Sequence, residues 1–197
     1  MNGPGSVVKI NKDGRLTTPV VMLDALVGYD SEIPVSFSDI CPQGSSYSVV
    51  IYNDRSSEDE SPYSRLLLYN SGLWDRYLSD FAAKKERIAR LKAMKALRAD
   101  YPDAEDFELE DMLDESAVGD EVDSEVRSIS LRSKLVRIDS QGRMTLPFDF
   151  CENAGILSRG GEGGEVVFIP LRDKIELWSA DAPAVKPGQA VSRSFRH

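Results

Sequence analysis

A chain of 197 residues, 41% of them hydrophobic and 29% charged, can fill one ordinary domain or two small ones. No apolar run approaches the ~20 residues needed to cross a bilayer, so no membrane partner is expected. The formal net charge of -9 argues at first against a nucleic-acid partner, since phosphate binding calls for lysine and arginine. That charge is unevenly spread: residues 100–125 hold 13 acidic side chains and no Lys or Arg, and without them the chain carries +4.

The opening residues, MNGPGSVVKINKDGR, lack a basic n-region and an apolar h-region, so no secretory signal is expected. Residues 7–10 are strand-like. Asn11, Lys12, Asp13 and Gly14 form a turn, in which glycine supplies a positive φ without steric cost. A second strand is expected over residues 15–18. Pro19 suits the first position of a helix over residues 20–27, with Thr18 as its N-cap. Residues 31–46 read as a surface loop. The segments YSVVIY (47–52) and RLLLY (65–69) read as a hairpin, joined by a polar insert over 53–64 that contains Glu58, Asp59 and Glu60.

From residue 73 to 98 the apolar positions Trp74, Tyr77, Leu78, Phe81, Ile88 and Leu91 follow helical periodicity. Between them stand Arg76, Lys84, Lys85, Arg87, Arg90, Lys92, Lys95 and Arg98, either a solvated face or a surface for phosphate or a partner. Pro102 interrupts the pattern, and the acidic tract reads as loop, with a short amphipathic turn near residues 107–113. Strands are then expected over 135–138 and 143–146, a helix over 148–154 stopped by Gly155, and a hairpin of EVVFI (165–169) and KIELW (174–178). The Gly-rich stretch Gly160, Gly161, Gly163 and Gly164 lacks a following Lys-Ser/Thr and precedes a strand, so it reads as a loop and not as a phosphate cradle. The tail after residue 181 is rich in Pro, Gly and Ser and is expected to be disordered.

An internal repeat organises these elements. VKINKDGRLTTP (8–19) lies on VRIDSQGRMTLP (136–147) with six identities in twelve positions: Val8, Ile10, Gly14, Arg15, Thr17 and Pro19 meet Val136, Ile138, Gly142, Arg143, Thr145 and Pro147. Each copy reads β-β-α-β-β and is too small to bury much alone. The expected fold is therefore mainly β with short helices. Two tandem repeats form a pseudo-two-fold double-repeat barrel, joined by a long linking helix. The expected divisions are a first repeat (5–70), a basic amphipathic helix (71–99), an acidic flexible linker (100–130), a second repeat (131–181) and a tail (182–197).

The segment VRIDSQGRMTLPFDFCENAGI is similar to the signature of the bacterial MraZ family, KIELW resembles that family's closing strand, and RLLLYNSGLW resembles its element leading into a helix between repeats. The resemblance covers 7–27, 47–98 and 134–181, interrupted by insertions. It implies a swapped-hairpin fold of the AbrB/MraZ class, a ring of protomers and a transcriptional regulator, typically a repressor. The family's DNA-contact motif is D-x-x-x-R, once per repeat. Asp139 and Arg143 match it, whereas the first copy keeps Arg15 but has Asn11 in place of the aspartate.

A two-stranded β ribbon fits the major groove, where arginine can pair with guanine O6 and N7. Arg15 and Arg143 are the candidates for that role. Lys9, Lys12 and Arg137 are candidates for phosphate contacts, and Gln141 for a base contact or plain solvation. Asn11, Asp139, Gly14 and Gly142 are expected to shape the turns. For Arg143 the competing reading is a salt bridge to Asp139 that only stabilises the hairpin. The expected partners are double-stranded DNA and further copies of the chain, in the cytoplasm and associated with the nucleoid. No cofactor, metal or small-molecule substrate is expected. Cys41 and Cys151 lack metal-like spacing and read as reduced thiols in or near the core. Two other classes stay open: a ring-forming interaction scaffold that has lost DNA binding, and an AbrB-type antitoxin, although such antitoxins generally carry one hairpin unit per chain. An enzyme has least support, because the only histidine is His197 and no base lies near either cysteine in sequence.

Overall fold

The computed structural model describes residues 5–28, 35–54, 63–157 and 163–183. They divide into two compact units: one runs up to Leu73 and resumes at Arg132, and the other is Trp74–Leu131. The first unit combines the stretches expected as the two repeats, and the second combines most of the expected linking helix with the acidic tract.

The first unit contains β1 (Ser6–Ile10), β2 (Arg15–Thr17), α1 (Val20–Gly28), α2 (Phe37–Ile40), β3 (Ser46–Asn53) and β4 (Leu66–Asn70) from the first repeat. The second unit holds most of α3 (Ser71–Asp100), then α4 (Asp106–Asp111) and α5 (Glu115–Leu131). The chain then returns to the first unit with β5 (Ser133–Asp139), β6 (Arg143–Thr145), α6 (Phe148–Asn153), β7 (Gly164–Pro170) and β8 (Ile175–Ser179). Its eight strands form an antiparallel, nearly closed barrel-shaped sheet. Among the described residues helix outweighs strand, 46% against 27%, so the expectation of a mainly β protein is corrected to a mixed one.

Pairing runs across the repeats. The larger sheet has the order β1-β7-β8-β4-β3-β5, and β2 pairs with β6. Exchanging equivalent strands of the two repeats (β1 with β5, β3 with β7, β4 with β8) returns the same order read backwards. The register obeys the same exchange: Leu16 lies opposite Met144 in β2–β6, and Leu67 opposite Glu176 in β4–β8. The first strand of each repeat hydrogen-bonds the third strand of the other, β1 to β7 and β5 to β3.

The core follows from strand alternation. Ile10, Leu16, Val136, Ile138 and Met144 turn inward to meet Val49, Ile51, Leu66, Leu68, Val166, Phe168, Ile175 and Leu177. Met22, Leu23 and Leu26 of α1 and Phe150 of α6 join the same cluster. Each fully buried side chain of this size contributes about 1.5–3 kcal/mol. Both cysteines are free and buried, as expected.

Several local expectations change. Thr18 does not cap α1. Its hydroxyl is buried with no partner among the described residues, and the Pro19 carbonyl takes the first helical bonds, from the N–H groups of Met22 and Leu23. Pro19 thus sits one position earlier than expected, and Pro147 is likewise the N-cap of α6. Part of the expected 31–46 loop is α2. Ala182, assigned to the tail, is buried, and its N–H bonds the Ser179 carbonyl at 3.0 Å. The acidic patch of Glu58, Asp59 and Glu60 and the residues beyond 183 lie outside the described residues.

The acidic tract, expected as loop, contains α4 and much of α5. Asp114 caps α5, its Oδ1 accepting the N–H groups of Ser116 at 3.0 Å and Ala117 at 3.1 Å. Val118, Val122 and Ile129 on α5 and Leu109 on α4 are buried. Glutamates of α5 meet the basic side chains of α3: Lys85–Glu125 at 2.9 Å, Arg90–Glu115 at 2.7 Å and Lys92–Glu121 at 3.3 Å, while Arg98 pairs with Asp106 of α4. At least half of the basic side chains singled out on α3 are thus engaged by carboxylates of their own unit. All of these pairs are substantially exposed and each is worth roughly 0–1 kcal/mol, so burial of the apolar positions carries more of the packing than the charges do.

Candidate nucleic-acid interface

The candidate site is the two-stranded β2–β6 ribbon and the turns that lead into it. Each turn is closed by the side chain of its first residue. Asn11 Oδ1 accepts the N–H groups of Asp13 at 3.0 Å and Arg15 at 2.8 Å. Asp139 Oδ1 accepts those of Gln141 and Arg143, both at 2.9 Å. Gly14 and Gly142 each have φ of 75°. A methyl group on Gly14 would fall 2.6 Å from the Leu146 carbonyl oxygen, and one on Gly142 would fall 3.0 Å from that of Thr18. The close approach is used: Leu146 N–H bonds the Gly14 carbonyl at 2.9 Å, and Thr18 N–H bonds that of Gly142 at 2.8 Å. Each turn is therefore pinned to the strand end of the other repeat.

In the ribbon, Arg15 lies opposite Thr145 and Thr17 opposite Arg143. Both strands follow the burial order exposed, buried, exposed. Leu16 and Met144 face the core, while Arg15, Thr17, Arg143 and Thr145 share the outward face. Arg15 and Arg143 are diagonal neighbours in this register, an arrangement that spaces Cα atoms about 7–8 Å apart. The sequence places one arginine in each repeat, and the fold brings the two together on one ribbon face. The sequence reading overlooked Thr17 and Thr145, whose signal was the two-residue spacing from each arginine along a strand.

The two arginines differ in their restraints. Arg143 Nε donates to Asp139 Oδ2 at 2.7 Å, with 63% of the arginine side chain still exposed. Asn11 has no carboxylate to offer, and no hydrogen bond or ion pair holds the Arg15 guanidinium among the described residues. Burial acts to raise the pKa of Asp139, but the N–H and guanidinium of Arg143 and the N–H of Gln141 outweigh it and hold the carboxyl below its ordinary range. The salt bridge weighed against DNA contact for Arg143 is thus present, made through Nε alone.

The other candidates are also exposed. Lys12 and Gln141 lie in the turns. Lys9 stands on β1 opposite Glu165, and Arg137 on β5 opposite Ser48, at equivalent points of the two repeats. Elsewhere, burial and the nearby Asp149 push the Cys151 thiol up to about 12, which keeps it protonated at neutral pH. Among the described residues no group of three or more His, Cys, Asp or Glu side chains is placed to hold a metal ion, and no helix is long and apolar enough to cross a membrane. No protein-family model matches the chain, and no curated protein matches it.

Proposed function

We propose that the chain is a sequence-specific DNA-binding transcriptional regulator of the MraZ type, with the swapped-hairpin fold, acting as a repressor. The observation that carries this reading is the pair of arginines on the exposed face of a two-stranded ribbon. Such a ribbon fits the major groove of B-DNA, and an arginine there pairs with guanine O6 and N7. Thr17 and Thr145 on the same face can contact bases or phosphates, and Lys9, Lys12 and Arg137 supply phosphate contacts that position the ribbon. The reciprocal pairing of the repeats supports the swapped-hairpin assignment, since β1 and β5 each complete the sheet of the other repeat.

One ribbon offers few phosphate contacts. Tight binding in physiological salt requires several protomers on spaced repeats, as a ring oligomer provides through effective concentration. Each neutralised phosphate adds about -0.9 to the slope of log affinity against log salt, so the dependence should be steep. The test is selection of bound duplexes from a random pool, followed by anisotropy titration. Replacing Arg15 and Arg143 together by alanine should weaken binding to the selected duplex by about ten-fold or more. Equal binding by the double variant and the parent would sink the assignment.

The second reading is a ring-forming interaction scaffold without DNA binding. The Arg143–Asp139 ion pair favours it, since that pair neutralises one arginine of the ribbon. Oligomers that select no duplex at low salt would decide for the scaffold.

A further inference from the structure

Resting on the DNA-binding reading, we infer that the two halves of the ribbon divide the work: Arg143, braced by Asp139, reads a base, whereas Arg15, unbraced beside Asn11, contributes attraction to the phosphates with little discrimination. The argument begins at the turns. Asn11 and Asp139 close them with the same pair of backbone bonds through Oδ1. Only Asp139 has a second oxygen able to accept a bond from its arginine, and Oδ2 takes Nε at 2.7 Å. Because Oδ1 is already fixed by two N–H groups, the carboxylate is a rigid post.

Attachment through Nε leaves both terminal nitrogens of Arg143 without a partner among the described residues. Those two nitrogens are the pair that a guanine O6/N7 edge requires. A guanidinium held in one orientation gives up less freedom on binding and penalises a misplaced acceptor. The nearby carboxylate also lowers the general attraction of this half for DNA and penalises a phosphate in place of a base edge. The Asn11 amide offers no such brace. Arg15 keeps its freedom and its full charge, which suits it to the sequence-independent part of binding.

A chain with near two-fold strand pairing is thereby given two unequal half-contacts, and its preferred DNA element should be correspondingly unsymmetrical. The natural control is built in, because Asn11 shows that asparagine closes this turn. Asp139→Asn therefore keeps the turn while removing the brace, and Asn11→Asp supplies a brace to Arg15.

The experiment uses the full chain, a duplex recovered by it from a random pool, and calf-thymus DNA as the non-specific probe, titrated over a range of salt. Arg143→Ala and Asp139→Asn should each lower the ratio of selected to non-specific affinity by about ten-fold. Arg15→Ala should weaken both probes equally and reduce the salt slope by about one. Asn11→Asp should raise the ratio and make a newly selected element more symmetrical. Equal loss of discrimination from Arg15→Ala and Arg143→Ala, or an unchanged ratio in Asp139→Asn, would overturn the division of labour while leaving the DNA-binding reading intact. Recovery of no sequence by the parent chain would overturn both.

Discussion

Asn11 and Asp139 perform the same backbone task, and their difference of one atom decides what happens to the neighbouring arginine. The acidic member should titrate abnormally. Its folded pKa lies below the ordinary value of 3.8, so the contact stabilises the turn between β5 and β6 fully above that pH. The contribution is lost as pH falls through the lower folded value. A carbon-detected NMR titration of the Asp139 carboxyl should give a midpoint under 3.8, with the Arg143 amide signal moving in step; a midpoint at or above 3.8 contradicts the hydrogen bonds described here. The turn glycines answer to geometry in both repeats. Gly14→Ala must adopt a positive φ, costing about 1–2 kcal/mol, and must also displace the Leu146 carbonyl. Urea unfolding of Gly14→Ala should show that loss or more, and unchanged stability would mean that the turn has another conformation. Both glycines were legible in the sequence because turn chemistry is local. The Thr18 hydroxyl was not, since its burial depends on packing that no neighbour in sequence announces.

Among the elements, α5 is the clearest difference between sequence and structure. Thirteen carboxylates in residues 100–125 made disorder the natural expectation, because like charges repel and few apolar groups are available to offset chain entropy. The signals that were present are Asp114 as a cap and Val118, Val122 and Ile129 at helical spacing. What neutralises the glutamates is Lys85, Arg90 and Lys92, more than twenty residues away on α3. The energetic ranking can be checked by thermal unfolding. Leu109→Ala removes a fully buried side chain and should cost about 2–5 kcal/mol. Glu121→Gln breaks an exposed pair and should cost less than about 1 kcal/mol. The reverse order would mean that charge, and not burial, holds this unit together.

At the scale of the whole molecule, the strands of each repeat depend on the other. A fragment of residues 131–181 contains the β7–β8 hairpin, but β5 and β6 lack the partners β3 and β2 that the full chain supplies. That fragment should therefore be folded only as a homodimer, two copies exchanging strands as the repeats do. Sedimentation and circular dichroism over a dilution series should show strand signal lost together with dimer, and a folded monomer would refute this account. The six-position identity between the repeats made the duplication visible, and short strands with exposed edges made mutual pairing the economical solution.

By itself the sequence determined the local units: the strands from alternation, the turns from glycine with Asn or Asp, and the repeat from identity at matched positions. These rest on interactions between residues a few positions apart. Only the tertiary structure decided that the two arginines share one face, that α3 and the acidic helices form a unit, and that Thr17 and Thr145 stand beside the arginines. Those outcomes depend on the pairing of β2 with β6 and on charges brought together from distant parts of the chain, and strand partnership between distant segments leaves no mark in either segment alone.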